Sequence, residues 1–146
     1  MIPPFGSDGN LPPGVHSATW DETVERFGGT PRRVELLAGL RRALVALREA
    51  GCRTVYVDGS FVADAREPND FDACWEPEGV ELRRLDPVLY DFAHGRRAQK
   101  RTFGGELFPA SFVADAAGYS FFELFQRVRG TEGRKGLVVI DLKDGP

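Results

Sequence analysis

Residues 54–75 read TVYVDGSFVADAREPNDFDACW, and this stretch gives the strongest indication of how the chain folds. Residues 54–57 are β-branched or aromatic and predict a strand. The Asp-Gly-Ser sequence of residues 58–60 is expected to end this strand. Residues 61–65 follow as one predicted helical turn, and a turn then leads into a second predicted strand at residues 70–75. The stretch therefore predicts two strands joined by a short connection.

The longest helical pattern lies before this stretch. Residues 31–50 begin with Thr30 as a side-chain cap and Pro31 in the first turn, and leucines recur at helical spacing. Such a stripe is typical of a helix face buried in a core. The other predicted elements are a helix at 20–27 capped by Thr19, a helix at 81–100 interrupted at Pro87, a strand at 102–108 broken by Gly104 and Gly105, a helix at 120–129 and a strand at 136–142.

Strands and helices interleave along the chain, which predicts an α/β or α+β fold with one sheet. Residues 1–14 contain four prolines and three glycines, so they are predicted to form an extended arm rather than a helix or a central strand. Phe5 and Leu11 are the side chains that could attach this arm to the body of the protein. Residues 15–146 are predicted to form a single domain.

The composition limits the classes of function. The chain has 146 residues, of which 42% are apolar and 28% charged, as in an ordinary globular protein. Its net charge of −3 argues against a dedicated binder of duplex DNA. No apolar run approaches the length of a membrane span. Cys52 and Cys74 lack metal-ligand spacing and are expected to be reduced thiols of a cytoplasmic protein.

Asp70 and Asp72 are the first candidates for chemistry. Side chains two positions apart on a strand share a face, so both carboxylates should point the same way. Two carboxylates this close repel each other unless a cation lies between them, and a hard ion such as Mg²⁺ suits them. The pattern alone has low specificity, because exposed acidic alternation is common.

The Gly59-Ser60 pair is the second candidate feature. Glycine directly after a strand allows a sharp turn or a close approach of a ligand, and the serine offers a hydroxyl and N–H groups to an anion. The alternative is an ordinary turn between a strand and a helix. Together with the acidic pair, however, a phosphate seat beside a cation site is what a nucleotide and its metal ion need.

At this point the sequence resembles the nucleotidyltransferase superfamily, which includes the palm of DNA polymerase β and minimal bacterial nucleotidyltransferases. The superfamily signature is an apolar strand ending in Gly-Ser or Gly-Gly, a short spacer and an acidic-apolar-acidic triplet. Residues 55–60 and 70–73 match it. Residues 56–75, with the arm at 3–5 and the ending at 135–140, also resemble a family of small bacterial proteins placed in that superfamily. The resemblance implies a small mixed sheet with helices packed mainly on one face.

The superfamily places a third carboxylate on a later strand, beside the first two. The resemblance implies Glu106 for this position, because it is acidic and begins the apolar run of residues 105–109. Asp115 is the second choice, and the third alternative is that the chain lacks this carboxylate. Asp70, Asp72 and Glu106 are thereby implied as the catalytic and metal-binding residues.

Phosphate contacts are expected from the Gly-Ser turn and from nearby basic side chains. The candidates are Gly59, Ser60, Arg66 and Lys100, the last in a basic cluster with Arg96, Arg97 and Arg101. For the cluster, the alternative explanation is favourable placement of cations at the C-terminus of a helix.

The resemblance implies transfer of a nucleotide from a nucleoside triphosphate to an RNA, protein or small-molecule acceptor with Mg²⁺ or Mn²⁺. It also implies a protein partner from the same operon, because minimal members often belong to toxin–antitoxin or phage-defence pairs. Two alternatives remain. The chain could be a catalytically degenerate member that serves as a binding or regulatory module, or an unrelated α/β domain in which the motif is coincidence.

Overall fold

Both strands of the 54–75 stretch are present in the computed structural model, which describes the backbone of residues 1–146 and every side chain except that of Asp144. The strands are β1 (Gly14–Ala18), β2 (Thr54–Asp58), β3 (Phe71–Trp75), β4 (Gly105–Pro109) and β5 (Gly136–Asp141). The α-helices are α1 (Trp20–Phe27), α2 (Pro31–Glu49), α3 (Ala93–Phe103) and α4 (Phe121–Leu124). Short 3₁₀ helices cover Ser60–Val62, Leu82–Arg84, Pro87–Tyr90 and Leu142–Asp144.

The strands form one sheet in the order β1-β5-β2-β3-β4. The central strand, β2, is antiparallel to both of its neighbours, β3 and β5. The two outer pairs, β1 with β5 and β3 with β4, are parallel. The predicted α+β class with a single mixed sheet is therefore confirmed.

One face of the sheet, called the core face here, carries the hydrophobic core. Alternation along the strands turns one side chain in two toward α1 and α2. The leucine stripe of α2 packs there as predicted: Leu36, Leu40 and Leu44 are almost completely buried. The strand side chains of this core are Val55, Val57, Phe71, Ala73, Trp75, Leu107, Val138 and Ile140.

The opposite face, called the second face here, is covered in part by aromatic rings from the segment after β4. The ring centroid of Phe122 lies 4.7 Å from that of Tyr56, and the ring of Phe121 stacks at 4.0 Å on Phe108. These contacts join the segment to Tyr56 of β2 and Phe108 of β4, whose side chains both point to the second face. The carboxylates described below occupy the same face, beyond these rings.

The predicted starts of α1 and α2 are confirmed. The side-chain oxygen of Thr19 accepts a hydrogen bond from the N–H of Glu22 at 3.1 Å, and that of Thr30 accepts one from Arg33 at 3.2 Å. Each threonine therefore satisfies an N–H group that has no partner within its helix. None of the described helices has the length and apolar character that crossing a membrane requires.

The predicted helix at 81–100 is wrong over most of its first half. Residues 82–84 and 87–90 form two separate 3₁₀ turns, and α3 begins only at Ala93. Proline restricts the preceding residue to extended backbone, and the carboxylate of Asp86 accepts a hydrogen bond from the N–H of Val88 at 3.0 Å. This local bond starts a new turn where a continuous helix would have run.

Two other predicted boundaries move, and one strand was not predicted. Residues 102–103 end α3 instead of beginning a strand, because Gly104 takes a left-handed backbone (φ 87°) and caps the helix. The predicted helix at 120–129 is limited to α4, residues 121–124. β1 was not predicted, because it is an edge strand of mixed polarity whose only partner, β5, is distant in sequence.

Residues 1–13 of the predicted arm contain no helix or strand, whereas its last residue, Gly14, begins β1. Leu11 is buried, and Phe5 packs against the core, which confirms both as attachment points. The backbone adds two links, since the carbonyl of Leu11 accepts from the N–H of Gly136 and that of Gly9 from the N–H of Asp64. The arm is thereby joined to β5 and to the loop after β2.

Arg33 ties α2 to the loop that follows β2. Its side chain is buried, with a relative exposure of 6%. The guanidinium donates hydrogen bonds to the carbonyl oxygens of Phe27, Ser60, Phe61, Ala63 and Ala65. A single cation thus satisfies several carbonyls of an irregular loop that would otherwise lack partners.

We expect Arg33→Met to lower the free energy of unfolding by at least about 3 kcal/mol, because several buried carbonyls lose their donor. Urea unfolding followed by far-UV circular dichroism measures this value. The matched control is Arg41→Met, an exposed position on the same helix, for which we expect a change within about 0.5 kcal/mol. Equal effects of the two substitutions would contradict the clamping role of Arg33.

Candidate functional site

Three acidic side chains lie in a row on three adjacent strands, close to one end of each strand. Asp58 on β2 is in register with Asp72 on β3, and Asp72 is in register with Glu106 on β4. Register partners on adjacent strands point to the same side of a sheet. Alternation therefore places all three carboxylates on the second face, opposite the hydrophobic core.

Asp70, directly before β3, adds a fourth carboxylate on the same side. One carboxylate oxygen from each of Asp70, Asp72 and Glu106 lies within 4.8 Å of the others, and we call these three residues the acidic cluster. The structure thus brings together the pair predicted from strand alternation and the residue proposed as third carboxylate. Three oxygen donors at this spacing could hold a metal ion.

Gly59 brings the backbone against the acidic cluster. Its φ is 85°, in the left-handed region that side chains disfavour. A Cβ at this position would lie 2.6 Å from Oδ2 of Asp72, which is closer than real Cβ contacts allow. Glycine is therefore required both by the backbone conformation and by the adjacent carboxylate.

Basic side chains neutralise two of the four carboxylates. Nζ of Lys135 lies 3.4 Å from Oδ1 of Asp58. Glu106 has two cationic partners: Nη2 of Arg96 is 3.3 Å from Oε2, and Nζ of Lys100 is 3.0 Å from Oε1. Among the described side chains, neither Asp70 nor Asp72 has an ion-pair partner within 4 Å, so they are the members with oxygens left for a ligand.

The turn that begins α3 directs Arg96 at Glu106. His94, Gly95 and Arg96 have φ values of 52°, 67° and 62°, a left-handed turn that non-glycine residues rarely adopt. The guanidinium of Arg96 also lies 5.6 Å from the ring centre of Phe108. The ion pair and this aromatic contact hold the arginine in a strained conformation next to the cluster.

A cavity of about 580 Å³ opens over the acidic cluster. One wall is formed by the strand ends with Asp58 and Gly59, and the other by residues 115–131, of which the sequence had offered only Asp115 as a site residue. The basic and aromatic side chains that line it are Arg96, Tyr119, Phe125, Arg127, Arg129 and Lys135. The guanidinium of Arg127 lies 4.5 Å from the ring centre of Tyr119.

The structure brings five of the predicted site residues together and places the others elsewhere. Asp70, Asp72 and Glu106 form the cluster, Gly59 touches it, and Lys100 pairs with Glu106. Asp115, the second choice for third carboxylate, lines the cavity but is not part of the cluster.

Ser60 and Arg66 are not among the residues that line this cavity. The carbonyl of Ser60 is instead held by Arg33, and Arg66 lines a separate cavity beside the arm. The crossover loop turns away from the cluster after Gly59, because Arg33 binds its carbonyls from the core side.

Asp58 and Lys135 are site residues that were not predicted from the sequence. Asp58 precedes Gly59 within the strand motif, so its position at the strand end was an available signal. Lys135 lies in a loop far along the chain, and only the pairing of β2 with β5 brings it next to Asp58.

The chain matches, over residues 3–141, a protein family described as a family of unknown function (DUF6932). The chain belongs to this family. The match includes the arm from residue 3, all five strands and every residue of the acidic cluster. No curated protein and no solved structure matches the chain.

Burial is the main cause of raised pKa values at Asp58, Asp70 and Asp72 in this DUF6932 protein. It is the largest cause that raises the pKa of Asp72 to about 7, and the charges of Asp70, Asp58 and Glu106 raise it further. Burial also raises the pKa of Asp58 to about 6, while Lys135 opposes the shift. The pKa of Asp70 is raised in the same direction, by burial and then by Glu106.

These shifts predict how stability depends on pH. The folded state holds protons on Asp72 that the unfolded chain releases near its ordinary pKa of 3.8. The protonated Asp72 therefore makes its full contribution to the free energy of unfolding below about pH 4, and this contribution is lost as the pH rises toward about 7. At about 1.4 kcal/mol for each pKa unit, the loss between pH 5 and pH 8 is on the order of 2 kcal/mol.

We expect Asp72→Asn to make the metal-free protein more stable than the wild type at pH 8, and to remove most of this pH dependence. The amide keeps the shape of the protonated acid and carries no charge to desolvate. Thermal unfolding between pH 4.5 and pH 8.5 in chelator measures the effect. Asp21→Asn, at an exposed position of α1, serves as control and should follow the wild-type profile. An Asp72→Asn profile parallel to the wild type would contradict the assignment.

Proposed function

We propose that this DUF6932 protein is a divalent-metal-dependent nucleotidyltransferase. The observation that supports this most is the convergence of Asp70, Asp72 and Glu106 within 4.8 Å, beside the backbone of Gly59. A hydrolase or a simple cation-binding protein would also use carboxylates. The resemblance of residues 55–60 and 70–73 to the nucleotidyltransferase signature favours transfer of a nucleotide.

Mg²⁺ or Mn²⁺ is the proposed metal, because the donors are three carboxylates without a thiolate or imidazole. Asp70 and Asp72 would supply the oxygens that have no ion-pair partner. Glu106 would join them after release from one of its two cations, Arg96 or Lys100. Once bound, the ion would neutralise triphosphate charge and lower the pKa of the attacking hydroxyl.

The triphosphate would occupy the cavity over the cluster. Arg127, Arg129 and Lys135 line this cavity and would bind phosphate oxygens. Gly59 leaves room for the ligand beside Asp72, where any side chain would collide with the carboxylate. Tyr119, held under the guanidinium of Arg127, offers an aromatic edge to the nucleoside.

In the proposed reaction, a hydroxyl oxygen of the acceptor forms a bond to the α-phosphorus of the nucleoside triphosphate. The bond from that phosphorus to the oxygen bridging to the β-phosphorus breaks, and pyrophosphate leaves with the electron pair. The hydroxyl proton passes to water in the open cavity. The role of the chain is to align the two reactants and to stabilise the charge that develops on the leaving group.

A second candidate function is a catalytically inactive nucleotide-binding module. The specific observation in its favour is the full pairing of Glu106, since Arg96 and Lys100 each take one of its oxygens. In such a module these cations would replace the metal ion permanently. The protein would then act by binding a nucleotide or a partner protein.

We expect wild-type protein with Mg²⁺ or Mn²⁺ to release pyrophosphate from at least one of the four nucleoside triphosphates when acceptor is present in a cell extract. Asp70→Asn/Asp72→Asn should reduce this activity at least 100-fold, because no metal can be held. Mn²⁺ should also raise the melting temperature of the wild type and not that of the double variant. A chelator should abolish both effects.

The matched control is Asp21→Asn/Glu25→Gln, which removes two exposed carboxylates of α1 and should leave activity and metal response unchanged. Stabilisation by nucleotide without turnover would favour the inactive module. The nucleotide-binding proposal as a whole would fail if neither metal nor nucleotide changed the melting temperature at any pH from 6 to 9.

A further inference from the structure

A second cavity, of about 400 Å³, lies between α2 and α3 on the other side of Asp70. Its charged lining residues are Arg32, Arg42, Lys100 and Arg101, with Glu35 and Asp70, and we call it the basic groove. The groove is locally positive, because its lining has four cationic and two acidic side chains. This contrasts with the net charge of −3 for the whole chain, so the groove concentrates positive charge in one place.

Two of these cations have no ionic partner among the described residues. Arg32 pairs with Glu35 at 3.4 Å, and Lys100 pairs with Glu106. Arg42 donates only to the carbonyl of Thr102, at 3.1 Å, and Arg101 has no side-chain hydrogen bond or ion pair within the described part of the chain. Their charges remain available to an anion.

Placement at a helix C-terminus accounts for Lys100 and Arg101, which lie in the last turn of α3. It does not account for Arg42, which lies in the middle of α2 and faces the same groove from the opposite side. Cations from two helices converge on one cavity, and this arrangement needs an explanation beyond helix capping.

The groove is long compared with a single phosphate. Arg32 and Arg42 are ten positions apart on α2, which at about 1.5 Å per residue separates them by about 15 Å along the helix axis. Arg32 marks the end near the acidic cluster, because its guanidinium binds the carbonyls of Pro68 and Asn69, next to Asp70. Arg42 marks the outer end. A row of cations of this length suits a chain of phosphates.

Asp70 lines both the basic groove and the cavity over the acidic cluster, and Lys100 lines the groove while it pairs with Glu106 of the cluster. We infer that the basic groove binds the phosphodiester backbone of a single-stranded nucleic acid, which brings its terminal hydroxyl to the acidic cluster as the acceptor. The acceptor role rests on the proposed function, whereas binding in the groove does not. Electrostatic tracking of a single strand by such a groove needs no base-specific contacts.

The test is direct binding, measured by fluorescence anisotropy with a fluorescein-labelled RNA of ten nucleotides and a DNA of the same sequence. We expect Arg42→Gln/Arg101→Gln to weaken binding at least tenfold. The slope of log affinity against log salt should become shallower by about 1.4, which is about 0.7 for each lost phosphate contact. Arg101→Gln alone should show about half of that change and breaks no described contact.

The matched control is Arg41→Gln/Arg48→Gln, which removes two exposed arginines of α2 outside the groove and should bind like the wild type. Equal weakening by the control pair, or no binding by the wild type, would overturn the inference. So would displacement of the oligonucleotide by a mononucleotide at the same phosphate concentration, since a small phosphate compound would then be the ligand.

The melting-temperature response to Mn²⁺ separates this inference from the proposed function. A metal response without oligonucleotide binding leaves the acidic cluster supported and contradicts the groove. Oligonucleotide binding that depends on Arg42 and Arg101 without any metal response supports the groove and contradicts nucleotidyl transfer.

Discussion

Repulsion among closely spaced, buried or half-buried carboxylates is the constraint around which this protein is organised. The hydrogen-bond register of β2, β3 and β4 sets Asp58, Asp72 and Glu106 side by side, and Asp70 adds a fourth charge. The register cannot relax without turning hydrophobic side chains out of the core, because a shift of one residue exchanges the two faces of a strand. The charges must therefore be compensated where they stand, by protonation, by a metal ion or by side-chain cations.

The rest of the fold holds this strained site in place. The leucine stripe of α2 anchors the core face, and Arg33 fixes the loop that follows the Asp-Gly turn. Aromatic rings cover the part of the second face beyond the carboxylates. Position 59 tolerates only glycine, because a Cβ there would collide with the carboxylate of Asp72. These contacts fix the backbone on either side of the carboxylates, where the repulsion between charges is greatest.

Charge is distributed in two adjoining regions. The acidic cluster lies on the second face of the sheet, and the basic groove lies between α2 and α3. Asp70 lines both cavities, and Lys100 connects them through its ion pair with Glu106. Metal-bound triphosphate on one side and a polyanionic acceptor on the other would meet at Asp70. This is how the two proposals fit one continuous surface, although each rests on its own observations.

Local patterns in the sequence were enough to determine the caps at Thr19 and Thr30, the buried stripe of α2 and the shared face of Asp70 and Asp72, because helical and strand periodicity need no distant partner. The interrupted segment at 81–92 was misread, since a local Asp86 bond competed with the helix. Only the tertiary structure decided that Glu106 adjoins Asp72, that Lys135 reaches Asp58, and that residues 115–131 form the cavity wall. Those contacts depend on strand order and register, which pair residues far apart in the chain and leave no periodic trace in the sequence.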